Sequence, residues 1–431
     1  MKAEILTIGD ELLRGEIVDS NKSFLSDRLL GLDIETRFHA SVRDDPPDMI
    51  DAFRRAAARS DLTLVSGGLG PTRDDLTASV LADAFGRGLV LDEEALAGIE
   101  AFFRGAGREM SENNAKQAYF PERAGILPNP IGTAPGFWIE EAGALFFCMP
   151  GVPRELARMM DEQVLPRVAA RHGGGGAVRA RLLRTFGMGE STLDDELKDI
   201  AASGDVSLGF RTSFPDNYLR PLAHGATAEL AEAALERVCE AIRQRLGPLI
   251  YSENDETLDA VVGRLLQQRG MTIAVAESCT GGLIAQRITD NAGASAYFKG
   301  GVVSYADSAK TALLGVPSEV LAEHGAVSGP VVRAMAEGVR GRFDADIGVA
   351  TTGISGPGGG SEVKPVGLVH IALAQEGETH AESFVFPLDR ARHRQLTAQV
   401  ALDWVRRALL GAELVGPTLM RRRGGGPPPA R

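Results

Sequence analysis

A chain of 431 residues is too long for one ordinary domain, and its 44% hydrophobic content suits globular cores, so two or three folded domains are expected. With 46 basic against 58 acidic side chains the net charge is −12, which argues against nonspecific nucleic-acid binding. Cys148, Cys239 and Cys279 are odd in number, far apart and without Cys-x-x-Cys spacing, which speaks against a disulfide framework or structural zinc and suits a reducing, cytoplasmic compartment.

Acidic residues follow Met1 too soon for a signal peptide, and no apolar run approaches the roughly 20 residues that span a bilayer, so no membrane role is expected. Residues 3–8 read as an apolar strand and Ser23–Gly31 as an amphipathic helix. Strands are expected at Asp33–Ala40 and Leu62–Ser66, with a helix near Pro47–Arg59 between them. This β-α-β-α-β alternation calls for a parallel sheet with helices on its faces. Helices at Asp75–Phe85 and Glu93–Ala106, strands at Gly136–Glu140 and Ala144–Met149, and a helix Pro153–Arg171 complete a first domain, residues 1–171. His172 to Gly176 reads as a flexible linker.

Residues 177–252 mix strands (Val178–Phe186, Asn217–Ala223) with helices (Thr192–Ala202, Ala228–Leu246) and hold no Gly-rich loop or tight carboxylate or histidine cluster. They read as an α+β spacer or dimerisation element, and a homodimer is expected. From 253 to 412 the α/β pattern returns, with helices at Thr257–Gln268, Ala306–Leu314, Val331–Phe343 and Arg390–Leu410. Strands are expected at 271–277, Gly300–Tyr305, Ile347–Thr352, Gly367–Ala374 and Glu382–Phe386. The fold class is therefore α/β: two doubly wound α/β domains joined by a small α+β domain. The tail, residues 413–431, has too few apolar residues to pack and is expected to be disordered.

Glu277-Ser278-Cys279-Thr280-Gly281-Gly282 joins a strand directly to a helix. Such a turn leaves backbone N–H groups beside Ser278 and Thr280, a ready place for an oxyanion or phosphate. The plainer reading is a helix cap. Tyr305 and Lys310, on the next strand–helix unit, offer a base: a buried lysine working with a tyrosine can replace histidine in activating serine. The glycine-rich loop Thr351 to Ser361 follows another strand and suits close backbone contact with a phosphate or oxyanion, with Lys364 as a nearby charge. In the first domain, Gly67-Gly68-Leu69-Gly70-Pro71-Thr72-Arg73-Asp74-Asp75 sits at a strand's carboxyl end, where open α/β sheets bind ligands. Asp74 and Asp75 would repel a bare phosphate unless a divalent cation bridged them, and Gly9-Asp10-Glu11 brings more acid to the same edge.

Gly-Gly-Leu-Gly-Pro-Thr-Arg-Asp-Asp at 67–75, with the opening Gly-Asp-Glu-Leu, resembles the MoaB/MogA-like fold of molybdopterin-binding proteins and, more closely, the N-terminal domain of the CinA (competence/damage-inducible) family. The segments 113–118, 132–136 and 150–155 resemble CinA as well. The resemblance implies a metal-dependent ADP-ribose pyrophosphatase. Asp10, Glu11, Asp74 and Asp75 would be its ligands for magnesium or another divalent cation, and Gly68, Gly70, Thr72, Asn114, Lys116 and Thr133 its substrate contacts. A molybdopterin-type binding module without turnover is the alternative.

Glu-Ser-Cys-Thr-Gly-Gly, Gly-Gly-Val-Val-Ser-Tyr at 300–305, Lys310 and Gly-Ile-Ser-Gly-Pro at 353–357 together resemble the CinA C-terminal domain, the PncC-type nicotinamide-nucleotide amidase. The resemblance implies hydrolysis of nicotinamide mononucleotide to nicotinic acid mononucleotide and ammonia, without a cofactor. Ser278 would be the nucleophile, activated by Tyr305 and Lys310. Thr280, Gly281, Gly353, Ser355 and Gly356 would bind substrate, and Cys279 would be structural. A competence-related interaction protein, which the family name suggests, is the reading from a different class.

Overall fold

The first eight strands are β1 (Ala3–Ile8), β2 (Thr36–Val42), β3 (Leu62–Ser66), β4 (Leu89–Leu91), β5 (Tyr119–Pro121), β6 (Gly125–Leu127), β7 (Gly136–Glu141) and β8 (Ala144–Met149). Every residue of β1, β3 and β8 is buried, as strands sandwiched between two helical layers must be. The computed structural model describes residues 1–173, 176–201, 206–418 and 421–422. The sheet order is β2-β1-β3-β8-β7-β6, parallel through β8 and antiparallel beyond it. Residues alternate along each strand between two cores. Leu6, Ile8 and Val65 pack with Met49 and Phe53 of the helix Pro46–Arg59. Ile5, Leu62 and Leu64 pack with Leu25 and Leu29 of the helix Ser20–Leu30 and with Leu156 and Met159. This is the expected double winding, on a mixed sheet.

Several boundaries moved for local reasons. β2 starts at Thr36, not Asp33, because Asp33 has φ 57°, left-handed backbone that interrupts a strand. The helix expected from Asp75 begins at Thr77, since the Asp75 carboxylate is spent on Thr72 in the loop before it. The helix from Pro153 runs to His172 but widens into a π-turn at Met160–Val164, two residues before Pro166, which has no N–H to donate. The expected linker falls partly on residues 174–175, outside the described residues.

The strand expected at Val178–Phe186 is two, β9 (Ala177–Ala180) and β10 (Leu183–Thr185). With β11 (Val206–Ser213), β12 (Asp216–Gly225) and β13 (Ile250–Ser252), β10 forms a small antiparallel sheet of order β11-β12-β10-β13. Strands β14 (Ile273–Glu277), β15 (Phe298–Val303), β16 (Ile347–Gly353), β17 (Leu368–Gln375), β18 (Glu378–Val385) and β19 (Arg421–Arg422) make the last sheet, of order β15-β14-β16-β17-β18-β19. Its first three strands are parallel, and the others add antiparallel. The helices Leu258–Arg269 and Arg390–Leu410 cover one face, and Gly329–Phe343 covers the other.

By its internal contacts the chain gathers into two compact units. One comprises residues 1–179 and 224–232; the other comprises residues 180–223 and the chain from 233 onward. Within the second unit, Arg406 donates to the Pro248 and Ile250 carbonyls and Gln399 to Asp216, so the long C-terminal helix is anchored in the middle segment. The tail expectation needs correcting over 413–418. Leu414 packs on the core, Trp404 Nε1 donates to the Val415 carbonyl at 3.1 Å, and Thr418 N donates to the Gly187 carbonyl. The rest of the tail, apart from residues 421–422, lies outside the described residues. Among the described residues no helix is long and apolar enough to cross a membrane.

Candidate active site

Strand β14 delivers Ser278 to the carboxyl edge of the last sheet, beside the point where strand order reverses. Ser278 N still bonds the Thr351 carbonyl at 3.0 Å; Gly281 (φ 59°) and Gly282 (φ 93°) then swing the chain into the helix Leu283–Thr289. The helix-start amides expected to face a ligand are not free. The buried Glu277 carboxylate accepts from Gly282 N, Ile284 N and Ala285 N at 2.9–3.1 Å. A full negative charge at a helix start is well placed against its dipole, so this carboxylate is a built-in cap.

Ser278 lines a cavity of about 200 Å³ with Tyr305, Lys310, Thr352, Ser355 and Arg390. Lys310 is 1% exposed; its Nζ donates to the Ser304 carbonyl at 3.0 Å and approaches the Tyr305 carbonyl at 3.4 Å and Asp307 at 3.5 Å. Tyr305 lies past the end of β15 rather than on it and is 60% exposed. The expected trio of Ser278, Tyr305 and Lys310 is thus brought to one cavity. Cys279 borders the same cavity but is buried against the core, and burial pushes its thiol up to about 12, far too basic for a thiolate at neutral pH. The Ser355 hydroxyl is buried on the cavity wall without a hydrogen-bond partner among the described residues.

The other expected contacts divide. Gly353 and Ser355 line the cavity. Thr280 is turned into the interior, its hydroxyl paired with Thr351 at 2.8 Å and its carbonyl taken by Arg394. Gly281 is exposed on the turn, and Gly356 is buried with its carbonyl held by Arg390 at 2.9 Å. Lys364 is not the cavity's cation: it bonds the His324 carbonyl at 2.7 Å. That place belongs to Arg390, which also donates to the Tyr305 hydroxyl at 3.0 Å. Sequence reading saw Arg390 only as the start of a helix; the signal available was the Asp389 cap, which places Arg390 in the first turn.

In the first unit, the loops after β1, β3 and β8 meet at the same kind of edge. Asn21, a residue that carried no motif, joins two of them through Ser66 Oγ and the Gly151 carbonyl. Added Cβ atoms at Gly67 and Gly68 would lie 2.2 Å from the Ile8 carbonyl oxygen and Thr77 Oγ1, so these glycines are needed for close packing. Thr72 gives its hydroxyl to Asp74 and Asp75, and Lys116 donates to the Thr72 carbonyl. Asn114 is buried between Ser111 and Gln117, a structural place rather than a substrate-facing one. Thr133 lies half-buried in the loop before β7. Gly70 closes on Asp75, whose carboxylate would meet a Cβ there at 2.5 Å.

The four proposed metal ligands do not form a cage. Asp10 is paired with Arg14 at 2.5 Å and lies 3.5 Å from Arg43, and Asp75 is engaged by Thr72. Among the described residues no three His, Cys, Asp or Glu side chains converge to hold a cation. The carboxylates nevertheless crowd: Asp44, whose side chain accepts from Asp10 N, is pushed up by burial and further by Glu11, Asp10 and Asp74.

Two α/β sheets, one with a Ser-Tyr-Lys cavity and one with a glycine loop at its carboxyl edge, define the class of protein, and comparison with known proteins gives the family. A model of the CinA C-terminal domain matches residues 255–409, one of a probable molybdopterin binding domain matches 4–170, and one of the damage-inducible protein CinA KH domain matches 180–252. A CinA-like protein of Geobacter sulfurreducens is 44% identical over 413 residues, covering 96% of this chain and all of the relative. One from Anaeromyxobacter is 45% identical over 412 residues, covering 95% and 99%. The crystal structure of competence/damage inducible protein CihA from Agrobacterium tumefaciens is 41% identical over 36% of this chain and 93% of its own, with a TM-score of 0.35. The chain belongs to the CinA family. The KH match was missed from sequence because KH modules clamp nucleic acid through Gly-x-x-Gly, and residues 180–252 contain no such tetrapeptide.

Proposed function

We propose that the C-terminal domain hydrolyses the carboxamide of nicotinamide mononucleotide to nicotinic acid mononucleotide and ammonia. The observation that carries this is the single cavity lined by Ser278, Tyr305 and the buried Lys310. Ser278 Oγ attacks the carboxamide carbon while its proton passes to the Tyr305–Lys310 pair. The tetrahedral adduct collapses as that proton goes to the departing nitrogen, giving ammonia and a seryl ester. Water, deprotonated by the same pair, then cleaves the ester to release the acid and restore Ser278. Arg390, beside Tyr305, supplies positive charge for the substrate phosphate.

For the first domain the proposal is binding and hydrolysis of ADP-ribose at the Gly67–Asp75 loop. The carboxylates as arranged do not enclose a metal, so no step is routed through a cation. The match to a probable molybdopterin binding domain favours, as a second reading, a pterin-binding module without turnover. A cytoplasmic homodimer without nucleic-acid partners completes the proposal.

The test incubates the purified chain with each nucleotide, in EDTA and in magnesium. Ammonia should leave nicotinamide mononucleotide in EDTA, and release that persists in Ser278→Ala overturns the mechanism. ADP-ribose left intact in both EDTA and magnesium, or tight pterin binding beside inert ADP-ribose, overturns the first-domain proposal.

A further inference from the structure

We propose that Arg394 is a positioning residue for the Ser278 nucleophile. The proposal takes from the amidase reading only the identity of the reaction; its physical content concerns the backbone that carries Ser278. Between β14 and the next helix the chain reverses within five residues, and Gly281 and Gly282 both adopt left-handed backbone. Such a turn keeps one geometry only where its surroundings over-determine it. Glu277 holds it from the amide side, through the three N–H groups described above.

Arg394 holds it from the carbonyl side. Its Nε and Nη2 donate to the single Thr280 carbonyl oxygen at 3.1 and 2.6 Å. Two donors of one rigid fork on one acceptor fix direction as well as distance, which a lone ammonium cannot do. A Cβ on Gly281 would lie 3.4 Å from Arg394 Nη2, so the glycine leaves the guanidinium its seat. Arg394 is half-buried and does not line the cavity.

The same helix start holds the opposite wall. Arg390 bonds the Gly356 carbonyl and the Tyr305 hydroxyl, and His393 Nε2 lies 3.1 Å from the Gly367 carbonyl. Residues 390–394 therefore tie the nucleophile turn, the tyrosine and the glycine loop to one rigid helical turn. Arg394 sets where Ser278 stands relative to Tyr305 and Lys310 without touching substrate.

The experiment uses the full chain with Arg394→Ala and Arg394→Lys. It measures the rate at which a fluorophosphonate labels Ser278, located by mass spectrometry, together with kcat, KM and thermal stability. Because an ångström of misplacement is costly, Arg394→Ala should slow labelling and lower kcat by about 10- to 100-fold with KM changed less than about two-fold, and Arg394→Lys should recover part of both. Labelling at the wild-type rate overturns the proposal. So does a raised KM with kcat unchanged, which would make Arg394 a substrate contact, and so does a loss no larger than the unfolded fraction at the assay temperature. If the wild type labels at Ser278 but releases no ammonia, the amidase reading fails while the labelling comparison still decides the role of Arg394. A wild type that does not label overturns both.

Discussion

The Ser278 turn and the Gly67–Asp75 loop occupy equivalent places, each following a fully buried parallel strand at the carboxyl edge of its sheet. They use their carboxylates in opposite ways. Glu277 is 1% exposed and saturated by three helix amides, so it serves as scaffold and leaves the reactive role to the hydroxyl beside it. In the other loop Asp74 is exposed, and both aspartates are satisfied by Thr72 from the same turn, a local arrangement that a ligand can displace at little cost. Buried charge must be fully satisfied and is therefore fixed, whereas exposed charge can be traded between partners.

The largest expected effect separates Ser278 from its neighbour. Ser278→Ala should lower ammonia release by about 1,000-fold or more, whereas Cys279→Ala, removing a thiol held protonated by burial, should change it less than two-fold by steady-state assay. Lys310→Met keeps the volume of a buried chain but removes the proton carrier; a loss of about 100- to 1,000-fold in kcat is expected. Stability should divide the two carboxylates. By urea unfolding, Glu277→Gln, which turns an amide NH₂ against helix N–H donors, should cost about 2–3 kcal/mol, and Asp75→Ala about 0.5–1 kcal/mol. Similar costs would erase the contrast drawn above.

The smallest effects are in pH. His393 is held below its ordinary 6.5 by burial, with Arg390's charge adding to this. The unfolded imidazole takes its proton first, so this contribution to stability is lost as pH falls through about 6.5, and His393→Gln should flatten melting curves there. Asp44 is held above the usual carboxylate value of 3.8, so the unfolded carboxyl ionises first and stability is lost as pH rises through that range. Asp44→Asn should raise the melting temperature at pH 7 by about 1–2 °C.

Much of this was legible in the sequence because it is local. The strand–turn–helix at 273–289 follows from a β-branched run, two glycines and an apolar helical repeat, and the wall positions of Ser278, Tyr305 and Lys310 follow from successive strand–helix units. What was not legible depends on distant side chains choosing among acceptors. Nothing local says that Glu277 would claim the helix amides, that Lys364 would bond the His324 carbonyl, or that Arg390 would reach Tyr305 across 85 residues. Thr280 was assigned to substrate for the same reason: its hydroxyl meets Thr351 on the neighbouring strand, a pairing set by sheet register.

The helix Arg390–Leu410 carries its cavity residues in its first turns and its anchor, Arg406, near its far end. An α-helix advances about 100° per residue, so its two ends share a rotational phase. Inserting one residue after Gln399 would leave the middle-segment anchor free to stay bonded only if Arg390, His393 and Arg394 all rotated off their acceptors together. The length of this helix, and not only its composition, is therefore part of the site's specification.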